Sequence, residues 1–166
     1  ARQIRRIQDF MSERDEAGAK ENAELIEIIE DSIEFSRIHF KVEKKEKGRS
    51  ITVSKQYFAK ENVYSDIRVL REIFVSMIFR VASFIPMQGT IETELKRDED
   101  LFLTVSTVLN SGGIDDRAKS QQNPLSEIEI RRIAEKVNVR IFEEISSDRY
   151  TIKAVLPAAM VVETGK

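Results

Sequence analysis

SDIRVLREIFVSMIFRVASFIPMQGTIETELKRDEDLFLTV, residues 65–105, decides how this chain folds. Over residues 66–84 the apolar side chains Ile67, Leu70, Phe74, Met77, Ile78 and Val81 recur at helical spacing. Val75, Phe79 and Phe84 widen that stripe until little of the helix can face water, so the helix must be covered on most sides. Pro86 and Gly89 end it. Residues 90–96 and 101–107 then alternate as two strands around the charged tip Arg97-Asp98-Glu99-Asp100. A central helix packed on a sheet is the expected nucleus of the fold.

Outward from this nucleus, residues 1–13 carry Ile4, Ile7, Phe10 and Met11 at helical spacing. They read as an amphipathic helix too short to stand alone, which either continues upstream or docks on its own domain. A polar linker with Gly18 follows. Asn22 is placed to cap a helix over residues 23–36, with Leu25, Ile26, Ile29 and Ile33 facing inward. Beyond it two readings stand. Alternation through Ile38, Phe40 and Val42, and again through Ile51 and Val53, gives a hairpin around the charged turn 43–49. Alternatively the helix runs on to Lys47 and only the strand from Ser50 survives. Residues 56–64 read as a connector.

Residues 110–124, NSGGIDDRAKSQQNP, are almost free of apolar side chains and read as a loop. Ser126 with Glu129 three residues on is a capping box for a helix that buries Ile130, Ile133, Ala134 and Val137. Strands over 139–145 and 150–156 close the chain, and Pro157 is expected to end regular structure before a loosely held tail. The sum is an α+β fold: a two-layer α/β sandwich whose mixed, largely antiparallel sheet is covered on one face by three helices. Residues 1–19 are read as a terminal helix and linker, and residues 20–166 as the main domain.

A length of 166 residues allows one sizeable core, and no apolar run approaches the roughly 20 residues of a membrane span. With 27 basic and 29 acidic side chains, the net charge of -2 offers nucleic acid nothing to follow. The absence of cysteine excludes disulfides, thiol nucleophiles and cysteine-held metals, and fits a reducing compartment, with the cytoplasm as the default. No direct membrane contact is expected; any membrane anchor would lie upstream of Ala1. The lone histidine, His39, lacks the partners of a catalytic triad and is read as a partly exposed strand or helix-end residue. Asp115-Asp116 and Glu143-Glu144 are weak metal candidates, because strand neighbours point to opposite faces.

The run VLREIFVSMIFRVASFIPMQGTIETEL, a polar turn, and DLFLTVST together resemble the ATP-binding domain of sensor histidine kinases, the GHKL or Bergerat-fold ATPases. The resemblance covers about residues 21–157, and its strength lies in the order of elements and in the junction FIPMQGTI, against the family's usual FTPEGGTI. RQIRRIQDFMSERDEAG likewise resembles the end of a kinase dimerisation helix. What the resemblance implies is ATP and magnesium as cofactors, and a homodimer through upstream helices. It implies as partner a response-regulator receiver domain or another kinase.

The nucleotide positions of that family are altered here. The junction places Arg80 where the magnesium-binding asparagine belongs and Ser76 where the polar residue one turn earlier belongs. A guanidinium has no lone pair to give a metal and repels it. As a plain structural residue, Arg80 would lay its stem on apolar surface and place its head in water or on a carboxylate. Thr107 stands where the adenine-binding aspartate is expected, and Gly112-Gly113 are a trace of the glycines that follow it. Asn123-Pro124-Leu125-Ser126 replaces the second glycine pair, and a proline offers no N–H to a phosphate. The expected function is a non-catalytic, pseudokinase-like module that regulates or scaffolds two-component signalling and needs no cofactor. The alternative is an atypical kinase that still binds ATP in a rearranged pocket. A general protein-interaction domain outside signalling is the third reading.

Overall fold

The computed structural model describes residues 19–109 and 127–163. The helix at residues 1–13, the loop at 110–124 and the capping serine Ser126 lie outside the described residues. The chain runs β1 (Glu21–Glu24), α1 (Leu25–Lys47), β2 (Ser50–Tyr57), β3 (Asn62–Ser65), α2 (Ile67–Ala82), β4 (Gln88–Arg97) and β5 (Leu101–Leu109). After the undescribed segment come α3 (Glu127–Ala134), a 3-10 turn (Glu135–Val137), β6 (Arg140–Ile145) and β7 (Tyr150–Leu156). A second 3-10 turn (Ala158–Met160) and β8 (Val161–Val162) follow. Five strands form the main sheet in the order β2-β4-β5-β7-β6, and β1-β3-β8 form a small one. Only β2 and β4 run parallel; the other neighbours are antiparallel.

The helix predicted from the opening stretch is α2. Asp66 caps it by accepting from the Val69 N–H, and every residue from Ile73 to Ala82 is buried. It ends in a tightening turn, in which Phe84 N–H donates to Val81 and Ile85 N–H to Ala82. Arg49 completes the cap by donating to the carbonyls of Ala82 and Ile85, with Glu43 as its counter-ion at 2.6 Å. Below α2 the inward side chains of the sheet form cross-strand ranks. Leu95, Leu103, Ala154 and Ile141 make one; Thr93, Val105, Ile152 and Glu143 make the next. All three helices pack on this face, so the expected two-layer α+β sandwich is the observed one.

Of the two readings for residues 38–55, the continuous helix is the structure. α1 runs to Lys47 and closes on Gly48, left-handed at φ 72°. Its inner face is Leu25, Ile28, Ile29, Ser32, Ile33, Ser36 and Phe40. Ser32 and Ser36 interrupt the apolar stripe in the sequence, yet both are buried because each hydroxyl donates to the carbonyl four residues back, at 2.9 Å. Ile38, whose alternation suggested a strand, is 58% exposed.

Three smaller expectations fail. Asn22 does not cap α1: it pairs with Tyr64 in β1, and the helix takes Glu24 as its cap with no side-chain bond. The first amide, Leu25 N–H, instead donates to the Glu61 carbonyl at 2.9 Å. The connector 56–64 contains the end of β2 and most of β3. Beyond Pro157 the described part of the tail, to residue 163, is held through Val162, because Met160 and Val161 are buried and β8 pairs with β3. Among the described residues no helix is long and apolar enough to cross a membrane.

Candidate functional site

Ser76 and Arg80 lie one turn apart on α2, and Phe84 follows four residues on in the turn that ends the helix. Opposite them, alternation turns Glu143 of β6 and Tyr150 of β7 to the same interior face as Ile141 and Ile152. The Arg80 guanidinium sits between these layers. Its Nε donates to Tyr150 Oη at 3.3 Å, its Nη2 lies 3.6 Å from Glu143 Oε2, and its Cζ stands 4.9 Å from the Phe84 ring centroid. Tyr150 Oη in turn donates to Glu143 Oε2 at 2.5 Å. Phe84 and Tyr150 stack, with centroids 4.0 Å apart and planes 15° from parallel.

The cluster is satisfied chemically: a buried cation meets a carboxylate, a hydroxyl and two ring faces. Burial, and then the bond to Glu143, push the Tyr150 phenol well above its ordinary value, while the charge of Arg80 pulls the other way. Thr107, fully inside, accepts the Tyr150 backbone N–H on Oγ1 at 3.0 Å, so its acceptor is engaged by the same residue. Ser76 is buried, and its Oγ makes no hydrogen bond among the described residues. The structure thus brings Arg80 and Thr107 together around Tyr150. Gly112, Gly113 and residues 123–126 fall outside the described residues.

Sequence reading singled out Arg80 and Thr107 but not the residue that joins them. The signal for Tyr150 was weak, since it reads as the first residue of a strand. For Glu143 a signal existed. An arginine in the most apolar part of a buried helix needs a carboxylate, and Glu143 has the strand parity of buried Ile141. Of the weak metal pair, Glu143 points inward to Arg80 while Glu144 is exposed. His39 lies within α1 rather than on a strand, half-buried, with its ring edge-on to Phe79 at 5.0 Å and its Nε2 3.8 Å from Glu43.

Cavities open elsewhere. One of about 320 Å³ lies on the sheet's uncovered face beside Glu92, Ser106 and Arg149. Another of about 350 Å³ lies between Phe40 and Lys44 of α1 and Ile51 of β2, and a third of about 250 Å³ between α3 and β6. None of these three is lined by Ser76, Arg80 or Thr107.

No protein-family model and no curated protein sequence matches the chain. Solved structures do. The mycobacterial sensor histidine kinase MprB matches over 84% of this chain and 97% of its own, at TM-score 0.61 and 16% identity. The Acinetobacter baumannii histidine kinase AdeS matches over 93% of this chain and 75% of its own, at TM-score 0.63 and 10% identity. The cytoplasmic segment of histidine kinase QseC matches over 93% and 92%, at TM-score 0.60 and 12% identity. The chain has the fold of histidine-kinase catalytic domains. At these identities the likeness is one of fold.

Proposed function

We propose that this chain is a histidine-kinase-type domain of two-component signalling that serves as a regulatory or scaffolding module, without phosphotransfer of its own. The engagement of Arg80 carries the reading. At the position that the resemblance gives to the magnesium asparagine stands a permanent cation, tied to Glu143 and Tyr150. That donor set does not suit a divalent metal, since the only carboxylate in it already answers Arg80 and Tyr150. Thr107, a neutral hydroxyl that already accepts the Tyr150 N–H, gives adenine less than a carboxylate would. The likeness to kinase catalytic domains supports a place in two-component signalling, with a receiver domain or a partner kinase as its counterpart. Dimerisation through helices at and before residues 1–19, and a cytoplasmic setting, belong to the same proposal.

Each lost charged partner costs on the order of 1.5–3 kcal/mol. Two or three such losses consume most of the roughly 5 kcal/mol that a sub-millimolar affinity represents. Calorimetry with ATP and magnesium on the native chain, Arg80→Asn and Thr107→Asp is expected to show no binding in any of the three, because each substitution repairs one element only. Micromolar affinity in the native chain would overturn the proposal in favour of a kinase domain with a rearranged pocket.

A further inference from the structure

β6 closes one side of the main sheet, and among the described residues its only strand partner is β7. Hydrogen bonding along an antiparallel pair alternates, and the turn fixes its phase. Ser146 N–H donates to the Arg149 carbonyl at 2.9 Å, so these two are a bonded pair. Counting back in twos, Glu144, Phe142 and Arg140 spend their backbone groups on β7, and those of Ile141, Glu143 and Ile145 point out of the sheet. Tyr150 agrees with this phase, for its N–H turns to Thr107 on the β5 side and not to Ile145.

Exposed edges are ordinarily blunted by lysine, proline, a bulge or an inward-pointing charge. Arg-Ile-Phe-Glu-Glu-Ile has no lysine or proline, and its register with β7 is unbroken over six pairs. The one inward charge, Glu143, is held to its own domain by Arg80 and Tyr150. Outward, on the uncovered face of the sheet, stand Arg140, Phe142 and Glu144. Set antiparallel against itself about Phe142, this edge is complementary in charge. Arg140 meets Glu144 of a second copy on both sides of the axis, and Phe142 meets Phe142. By the phase above, Phe142 is then a non-bonded pair, the kind in which side chains approach most closely, while Ile141 and Glu143 exchange backbone bonds across the axis.

We propose that β6 is a homophilic docking edge: a second copy of this chain adds antiparallel across it, with the two-fold axis at Phe142, joining two five-stranded sheets into one. The side chains are placed for it. Phe142 is 44% exposed, and among the described residues the Arg140 head meets Asp100 at 3.5 Å and the Phe142 ring at 5.8 Å. The groove between α3 and β6, with Arg131 and Glu135 on its helix side, runs along the same edge and would be closed by the neighbour. The pairing is isologous, so it stops at two copies.

Charge exchange on the full chain tests it. The native chain is expected to dimerise with rising concentration in sedimentation, and the amides of Ile141 and Glu143 to exchange more slowly as it does. Arg140→Glu sets two acidic residues against each other twice over, and Glu144→Arg two basic ones. Each alone is expected to weaken the dimer by about tenfold to a hundredfold. The double variant Arg140→Glu/Glu144→Arg should regain native association, and a mixture of the two single variants should form a heterodimer more tightly than either associates with itself. Neither side chain is buried, so loss of folding does not confound the comparison. Three results would overturn the proposal: a native chain monomeric up to about 1 mM, single variants that associate as tightly as the native chain, or edge amides already slow in the monomer, meaning that a segment of the same chain covers β6.

Discussion

Tyr150 is the residue on which the interior polar cluster turns. Its hydroxyl links Arg80 to Glu143, its ring stacks on Phe84 and its backbone N–H holds Thr107. Tyr150→Phe keeps the stack and removes only the hydroxyl, and is expected to destabilise the domain by about 1–3 kcal/mol, since the partners lose a shared bond in a buried place. The pH dependence follows from the raised phenol. The folded chain holds that proton more tightly than the unfolded chain, so the contribution is complete below the ordinary value of 10.0 and is lost as pH rises above it. Tyr57 is raised as well, by burial and by its bond to Glu30. Thermal midpoints followed from pH 8 upward should therefore fall above about pH 10 in the native chain. The fall should be shallower in Tyr150→Phe and shallowest when Tyr57 is also Phe. Equal slopes would contradict the burial of the phenol.

At the scale of the element, α1 shows where periodicity misleads. Residues 38–42 alternate, and a two-residue period belongs to strands, but the competing helical period is completed by Ser32 and Ser36 and so is hidden from a count of apolar side chains. The deciding signal was Gly48, which a helix reading needs at its end and a hairpin can place anywhere in its turn. Its backbone sits at φ 72° with nothing within 4 Å of where a Cβ would be, so substitution there probes strain alone. Gly48→Ala is expected to lower stability by about 1 kcal/mol and Gly48→Asn by roughly half of that. Urea midpoints at unchanged slope would read the difference. By contrast α2, β4 and β5 were legible to within a few residues, because α2 carries an unusually wide apolar stripe and the hairpin has a polar tip at residues 97–100.

Over the whole molecule, sequence reading found the order of layers but not the partners of each strand. Parallel pairing of Ser50 with Gln88 leaves no mark in either segment, since it depends on the crossover through β3 and α2 that brings the chain back to the start of β4. The small sheet was missed for a related reason: β1, β3 and β8 are too short for alternation to be read. The candidate site shares this character. Arg80 and Thr107 could be found by position along the chain, whereas Glu143 and Tyr150 come to them only through the β6–β7 hairpin.

That small sheet also decides how the domain meets mechanical force. β1 and β8 flank β3, both antiparallel to it, with Glu21 beside Ser65 at one end and Val162 beside Asn62 at the other. Traction on the two chain ends thus pulls in opposite directions along β3 and loads its neighbours in shear. β1 holds through four residue pairs and β8 through two, so β8 is expected to slip first. In single-molecule pulling this should appear as an early, weak event that frees about 20 Å of chain, the reach of the six residues from Leu156 to Val162. A single rupture of the whole domain would contradict it. The short sheet is then a mechanical fuse: under tension β8 is expected to yield first, before the load reaches β7 and the five-stranded sheet that holds Arg80 and Tyr150.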